Sequence, residues 1–441
     1  MFFNSPEYIF FLCLVFVLVL LTNRTKTLQI RNFLLLVASY VFYAQLHIWF
    51  VLLLVYTTLV NYGCGRWISY AQQKHKNAKF PVTVGIVLSL AILVVFKYAY
   101  IIDTSIILPV GLSFFTFQAL SYIIDIYRGK IVEEKNLLNV ALFIAFFPTL
   151  LSGPIERARN LIPQLKQPTA ITSEIVFSGI GLFIWGLFKK VVIADRLAEF
   201  VNAVYAAPTG QTGSTLALAA LFYSFQIYCD FSGYADMAIG SGKILGFDIM
   251  KNFNFPYFAN TIKEFWRRWH ISLTSWFTEY VYFSMGGNRV KQARWILNIS
   301  TVFLLSGIWH GATWGFVLWG LIHAVLYLIE HFCKIKHPNL LNQVLVFILV
   351  TFAWIFFRIE NSATAWNVIC TICMDIVSPI NWGSSTFSTL LTIVLLVLFI
   401  VREYLMYKQK LPQKHILEYM LLILGICLFG VSSDQFVYFQ F

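Results

Sequence analysis

A chain of 441 residues that is 59% hydrophobic, 18% aromatic and only 12% charged lies far from the roughly 25% charged residues of soluble domains, which excludes a soluble globular protein. Charge-poor runs recur throughout and predict an integral membrane protein of many helices, while the absence of short alternating segments excludes a transmembrane barrel. The net charge of +12 reads either as the Lys/Arg excess of cytoplasmic loops and lipid contacts or as a basic mouth for an anionic substrate. Basic residues scattered between apolar runs exclude nucleic-acid binding.

In chain order, the run Tyr8–Leu21 follows an acidic residue, Glu7, and lacks a small-residue cleavage site, so it is expected to be a retained helix and not a signal peptide. TNRTKTLQIR, with Arg24, Lys26 and Arg31, is then cytoplasmic by the positive-inside rule, which puts the N-terminus outside. Two runs, Phe33–Tyr43 and Ile48–Val60, return the chain to a basic loop around Arg66, Lys74, Lys76 and Lys79. A full span, Val82–Ile102, precedes LPVGLSFFTFQALSYIIDIYRG, which Pro109 and Gly111 interrupt. In LLNVALFIAFFPTLLSGPIERARN, Pro148 and Pro154 break the next run, and Arg157 and Arg159 would land outside if every run crossed fully. Broken or re-entrant helices resolve this, and such backbone survives at membrane depth only when buried in protein or lining a cavity.

Ile175–Ala194 carries Lys189 and Lys190 towards its end, and STLALAALFYSFQIYCDFSGYADMAIGSG places Asp230 and Asp236 behind a span. The latter reads equally as a helix end with a polar turn or as a cavity wall. Residues 250–294 are moderately polar and rich in Trp, Tyr and Arg, as interfacial helices are. The run Trp295–Ile329 holds no Asp, Glu, Lys or Arg, and is either one span with a buried extension or two elements broken near Gly307, Gly311, Gly315 and Gly320. Val344–Phe357, a weaker run near 364–377, Leu390–Val401, a basic loop with Arg402, Lys408, Lys410 and Lys414, and Ile416–Val431 complete about ten to twelve crossing or partly inserted helices. The loop reads as cytoplasmic, so the terminal DQFVYFQF is expected to lie outside. With no repeats and no long linker, residues 1–441 are expected to form a single integral membrane domain. The seven cysteines show no framework, and Cys370 and Cys373 are a lone CxxC with no second pair at zinc-site spacing, so no metal is expected.

An imidazole at membrane depth is costly and marks a functional site by default. His310 sits in SGIWHGATWG, where small neighbours leave room for a substrate; desolvation keeps it neutral, as a general base requires. The alternative is a core histidine bonded to a carbonyl. His270, in KEFWRRWHISLTSWF, is a second catalytic group, an orienter or an interfacial residue. Arg267 and Arg268 beside it offer charge-assisted contacts to phosphate, and Trp266 and Trp269 either stack on a base or anchor at the interface. His323 reads as a packing or hydrogen-bonded histidine. Without a Gly-rich phosphate loop, HExxH or GxSxG, the NTPase, zincin and serine-hydrolase readings lose support. The residues alone leave a membrane acyltransferase and a proton-coupled transporter.

FWRRWHISLTSWF with GGNR after it, then LLSGIWHGATWGFVLWG, resembles the membrane-bound O-acyltransferase (MBOAT) family, in the bacterial branch of alginate and peptidoglycan O-acetylation membrane proteins. The likeness extends to MFFNSPEYIFF, LPVGLSFFTFQALSYIIDIYRG, FFPTLLSGPIERARN, QIYCDFSGYADMAIGSGKILGF, FAWIFFRIENSATAW and FVYFQF. It implies an all-α polytopic membrane protein, a ring of about 11 transmembrane helices with re-entrant and interfacial helices around a central tunnel, in the bacterial inner (cytoplasmic) membrane. It further implies acetyl transfer from cytosolic acetyl-CoA across the bilayer, through an extracytoplasmic acetyltransferase partner, to a polysaccharide such as peptidoglycan or an alginate-like exopolymer. His310 matches the family's near-invariant histidine and His270 its second one. By resemblance to a teichoic-acid D-alanylation partner that ends in a tyrosine, Tyr438 in FVYFQF becomes a candidate acyl relay, against an interfacial anchor. The rivals are D-alanyl or other acyl transfer to an envelope polymer, and a non-enzymatic transporter, for which no inverted repeat is visible. The acceptor is open; a Lys-, Ile- and Asn-rich composition tilts towards peptidoglycan by association only.

Overall fold

The computed structural model describes residues 2–99, 109–311, 313–333, 339–383, 385–410 and 416–431. These are helical, with no strand among them. They divide into two compact units, residues 1–183 with 234–251, and residues 184–233 with 252–441.

The first unit contains α1 (Pro6–Thr22), α2 (Leu28–Ala44), α3 (Phe50–Gln73), α4 (Lys79–Ala99), α5 (Leu112–Tyr127), α6 (Leu137–Ala145), α7 (Phe147–Leu150), α8 (Ala158–Leu165) and the start of α9 (Ser173–Phe188). Ser5 caps α1 by accepting from Tyr8 N, with Pro6 in the first turn where its missing N–H costs nothing. Tyr8, Phe11, Phe42 and Phe147 form an aromatic core, and the Tyr8 hydroxyl donates to Ser241 Oγ at 2.8 Å. Arg31, expected in a cytoplasmic loop, is fully buried in α2. Its guanidinium donates to the carbonyls of Leu165 (2.9 Å) and Gln167 (3.0 Å) and to Asn23 Oδ1 (3.0 Å), tying irregular backbone that no helix satisfies.

The proline-broken segment behaves as expected for non-helical backbone at depth. Residues 146–158 are buried throughout, and most of their polar groups find partners, although the Ser152 hydroxyl has none among the described residues. Gln118 donates to Phe143 O and accepts from Glu156 N, while the Glu156 carboxylate accepts from Arg157 N at 2.8 Å and Met250 N at 2.9 Å.

The second unit begins in the last turn of α9. After a π-helical turn, Lys189–Ala194, come α10 (Asp195–Ala206), α11 (Gly213–Ile244, which re-enters the first unit from Tyr234), α12 (Ile262–Arg268), α13 (Ile271–Phe277), α14 (Gln292–His310), α15 (Trp314–Cys333), α16 (Leu340–Arg358), α17 (Ser362–Met374), α18 (Thr386–Tyr407) and α19 (Ile416–Phe429). Asp230, read as a helix end or a cavity wall, lies inside the continuous α11. It forms one arm of a buried ion cluster in which Lys190 Nζ is 2.8 Å from both Asp195 Oδ1 and Asp230 Oδ1.

Among the described residues, five helices are long and apolar enough to cross a bilayer, Lys79–Tyr98, Ser173–Ala206, Trp314–Cys333, Leu340–Arg358 and Thr386–Tyr407, with five shorter apolar ones besides. Their outer faces leave Phe10, Leu21, Leu341, Leu345, Val397 and Leu398 exposed. Apolar surface on that scale requires lipid as its solvent. The chain is an all-helical, multi-pass membrane protein.

Candidate active site

The apolar run around His310 folds as two helices, α14 and α15, and the break falls immediately after the histidine. Gly307 and Gly320 explain the tightness of this hairpin. A Cβ on Gly307 would stand 2.4 Å from Phe316 O, and one on Gly320 would stand 2.5 Å from Phe303 O, so only hydrogen fits between the two backbones. That approach sets Trp319 edge-on to the buried His310 ring, centroids 5.2 Å apart, and Phe357 of α16, itself 5.2 Å from Trp319, packs edge-on beside it at 5.0 Å.

His270 is held in the bend between α12 and α13 with φ 43° and ψ 53°. A residue other than glycine in this left-handed region costs about 1–3 kcal/mol and persists only where its surroundings impose it. Here they do. Ile271 N donates to Asn252 O at 2.8 Å and Asn254 N to Arg268 O at 2.9 Å, pinning the bend to residues 252–254. The His270 ring packs edge-on against Phe231 (4.6 Å) and lies 6.2 Å from Trp309, the neighbour of His310 in sequence. Both histidines therefore meet the same indole, whose ring is 4.8 Å from that of His310. His270 lies outside the membrane-spanning helices, and its burial holds the imidazole well below its usual pKa, hence neutral at pH 7.

Helix α12 carries the basic motif and is capped from several directions. Thr261 Oγ1 accepts from Glu264 N at 3.0 Å, Glu264 Oε2 accepts from Asn260 N at 2.7 Å, and Glu330 of α15 accepts from Ile262 N and Lys263 N. Trp266 is buried, with its Nε1–H donated to His323 Nδ1 at 3.3 Å. This gives His323 the hydrogen-bonded packing role read from sequence. Arg268 is engaged by Glu264 at 2.6 Å and covers the Tyr407 ring at 5.3 Å. Desolvation raises the Glu264 pKa, but the Asn260 N–H and Arg268 outweigh it and leave the carboxyl below its ordinary value.

Arg267 projects the other way, into a cavity of about 760 Å³ whose wall includes Trp266, Lys263 and Arg289. The SMGGNR turn forms one side: Gly286 adopts φ 96°, and Asn298 of α14 donates to the carbonyls of Met285 and Gly287. The floor is α14 itself, through Ile299, Val302, Phe303 and Ser306. These positions are spaced i, i+3, i+4, i+7, a single helix face. His310 continues that stripe one turn further, about 6 Å along the axis. The cavity wall thus includes three cations and reaches Ser306, one turn short of the buried histidine, which is not itself among the lining residues. A second cavity, about 290 Å³, is lined mostly by aromatic rings, and its carboxylate, Glu403, accepts from Tyr228; an anion would not enter it.

The MBOAT, membrane-bound O-acyltransferase, family description matches residues 35–366. The chain belongs to the membrane-bound O-acyltransferase family. Within that family it is 42% identical over 359 residues to a probable alginate O-acetylase of Azotobacter vinelandii, covering 77% of this chain and 72% of the relative. It is 34% identical over 415 residues to the peptidoglycan O-acetyltransferase of Helicobacter pylori, covering 83% and 79%. A more distant relative, the teichoic acid D-alanyltransferase of Bacillus subtilis, is 33% identical over 228 residues, covering 49% and 57%. As an MBOAT protein the chain is a membrane O-acyltransferase.

Of the residues singled out in the sequence, the structure groups His310, His270 and Trp266 in one aromatic cluster and puts Arg267 on the cavity wall. Arg268 is not among the lining residues, and Tyr438 lies outside the described residues. Sequence reading passed over Lys263, Arg289, Ser306 and Asn252. The first three stand in quoted motifs, and Lys263 and Ser306 each lie one helical turn before a chosen residue. Nothing in the sequence distinguishes Asn252 from its neighbours.

Proposed function

We propose that this MBOAT protein is an O-acetyltransferase of the bacterial inner membrane, residues 1–441 acting as one domain. It takes acetyl from cytosolic acetyl-CoA and passes it outward, through an extracytoplasmic partner transferase, to a polysaccharide hydroxyl of peptidoglycan or an alginate-like polymer. The observation that carries this reading is the face of α14 that leads from Lys263, Arg267 and Arg289 to one turn short of His310. Exposed cations at the mouth suit the phosphates of the donor, with Trp266 beside them. Apolar walls suit the pantetheine arm, and the far end brings a thioester towards the His310 imidazole. The names of the alginate and peptidoglycan relatives support acetyl as the acyl group.

In this mechanism His310 takes the proton of the acceptor hydroxyl as its oxygen attacks the thioester carbonyl. The new C–O bond forms, the C–S bond breaks, and the imidazolium returns the proton to the departing thiolate. The thioester is already activated, so positioning and one base carry most of the acceleration. His270, sharing Trp309 with His310, is the second group of the site. Tyr438 is proposed as the acceptor hydroxyl that relays acetyl to the partner; transfer at the wild-type rate by Tyr438→Phe would remove it from the scheme. Incorporation of labelled acetyl from acetyl-CoA into the protein or a supplied partner tests the whole reading, and donor-independent export of an unmodified substrate would replace it with a transporter.

A further inference from the structure

The bend at His270 is built around one side chain the mechanism has not used. Asn252 is 1% exposed, and its Oδ1 accepts from Ser272 N at 3.2 Å and from Ser272 Oγ at 2.8 Å. The backbone N–H can only donate, so the atom facing it is the amide oxygen and not a flipped nitrogen. That same oxygen stands 3.1 Å from His270 Nδ1. An oxygen already accepting two hydrogen bonds can face Nδ1 favourably only if Nδ1 carries the proton. In a neutral imidazole the other nitrogen is then the base.

We propose that Asn252 is a positioning residue that locks His270 as the Nδ1–H tautomer, so that Nε2 is the nitrogen offered to the reacting groups. The left-handed backbone at His270 and the two main-chain bonds to residues 252–254 hold the ring where this amide can reach it. The assignment of the tautomer stands on geometry; its consequence for turnover rests on the acetyltransferase reading above.

The test uses full-length protein with 15N-labelled histidine, the His270 signal being assigned by its loss in His270→Gln. Wild type should show a protonated Nδ1 and an unprotonated Nε2. Asn252→Ala should give a mixture of tautomers and lower kcat by about 10–100-fold, within the contribution of one positioned acid–base group, with the donor KM unchanged. Asn252→Asp keeps an acceptor for all three donors. It removes only Nδ2, which has no hydrogen-bond partner among the described residues. It should retain the Nδ1–H tautomer and raise the pH at which the ring titrates by about one unit or more, and it carries the test if the alanine variant does not fold. A protonated Nε2 in wild type, an unchanged tautomer in Asn252→Ala, a ring titration unmoved by Asn252→Asp, or full turnover without the amide would each overturn the inference. Full transfer by His270→Gln would instead remove His270 from the functional reading.

Discussion

Arg267 offers the sharpest test of the proposed donor cavity. It is exposed on the cavity wall, whereas its neighbour Arg268 is already committed to Glu264 at 2.6 Å. A hydrogen bond from a guanidinium to phosphate is worth about 1.5–3 kcal/mol, and solvent at an open mouth brings this to the lower end, about 1–2 kcal/mol. Arg267→Ala should therefore raise the KM for acetyl-CoA about 5–30-fold while kcat stays within about twofold, because the contact is equal in ground and transition states. Arg268→Ala should change KM far less. The KM effect should shrink as salt rises from about 0.05 to 0.5 M, where charges near the surface are screened. Initial rates of labelled acetyl transfer in detergent, across a donor series at two salt concentrations, give all four numbers. A kcat loss at unchanged KM, or equal effects from both arginines, would show that the donor does not lie along this wall.

Removing the cation from the cluster in the second unit, Lys190→Met, should destabilise the protein by about 3–5 kcal/mol, since it takes the shared partner from two buried carboxylates. Adding Asp195→Asn and Asp230→Asn should recover much of that loss in thermal unfolding followed by size-exclusion chromatography. Gly307→Val drives a side chain into Phe316 O and should cost about 3 kcal/mol by prising α14 from α15; unchanged thermal stability would contradict the close packing of that hairpin. The depressed pKa of His270 makes stability fall with acid: the unfolded ring takes up a proton near pH 6.5 and the folded one does not. Wild type should lose about 1.4 kcal/mol more than His270→Gln between pH 7.5 and 5.5, and parallel melting profiles would show that the folded ring titrates normally.

Much of this molecule is legible in its sequence, because apolar runs of bilayer length have few soluble explanations and a histidine among them has fewer. The proline-broken segment before Arg157 betrayed itself through a failure of the charge rule, and it is indeed buried irregular backbone. The run around His310 left open one element or two, and of the four glycines that pointed to a break, Gly307 and Gly320 let α14 and α15 touch while Gly315 faces the backbone at the end of α16. What stayed hidden are partnerships across long sequence separations. Arg31 reads as a loop cation until the carbonyls of residues 165 and 167 surround it, and Lys190 as a span-end charge until Asp230 arrives beside it. Arg267 and Arg268 are indistinguishable as letters, yet Glu264 four residues before Arg268 is on its face of the helix and claims it. Asn252 becomes visible only when the bend at His270 folds over it.

The central claim is that His310 is the base of an acetyl transfer. Labelled acetyl-CoA supplied to wild type and to His310→Ala in proteoliposomes, with the partner present, tests it most directly. The account predicts label in the wild-type protein or its partner and a loss of about 10²–10⁴-fold in the variant, with the variant still folded and its donor KM within a few-fold. Transfer by folded His310→Ala at the wild-type rate would make that histidine a packing residue and contradict the account.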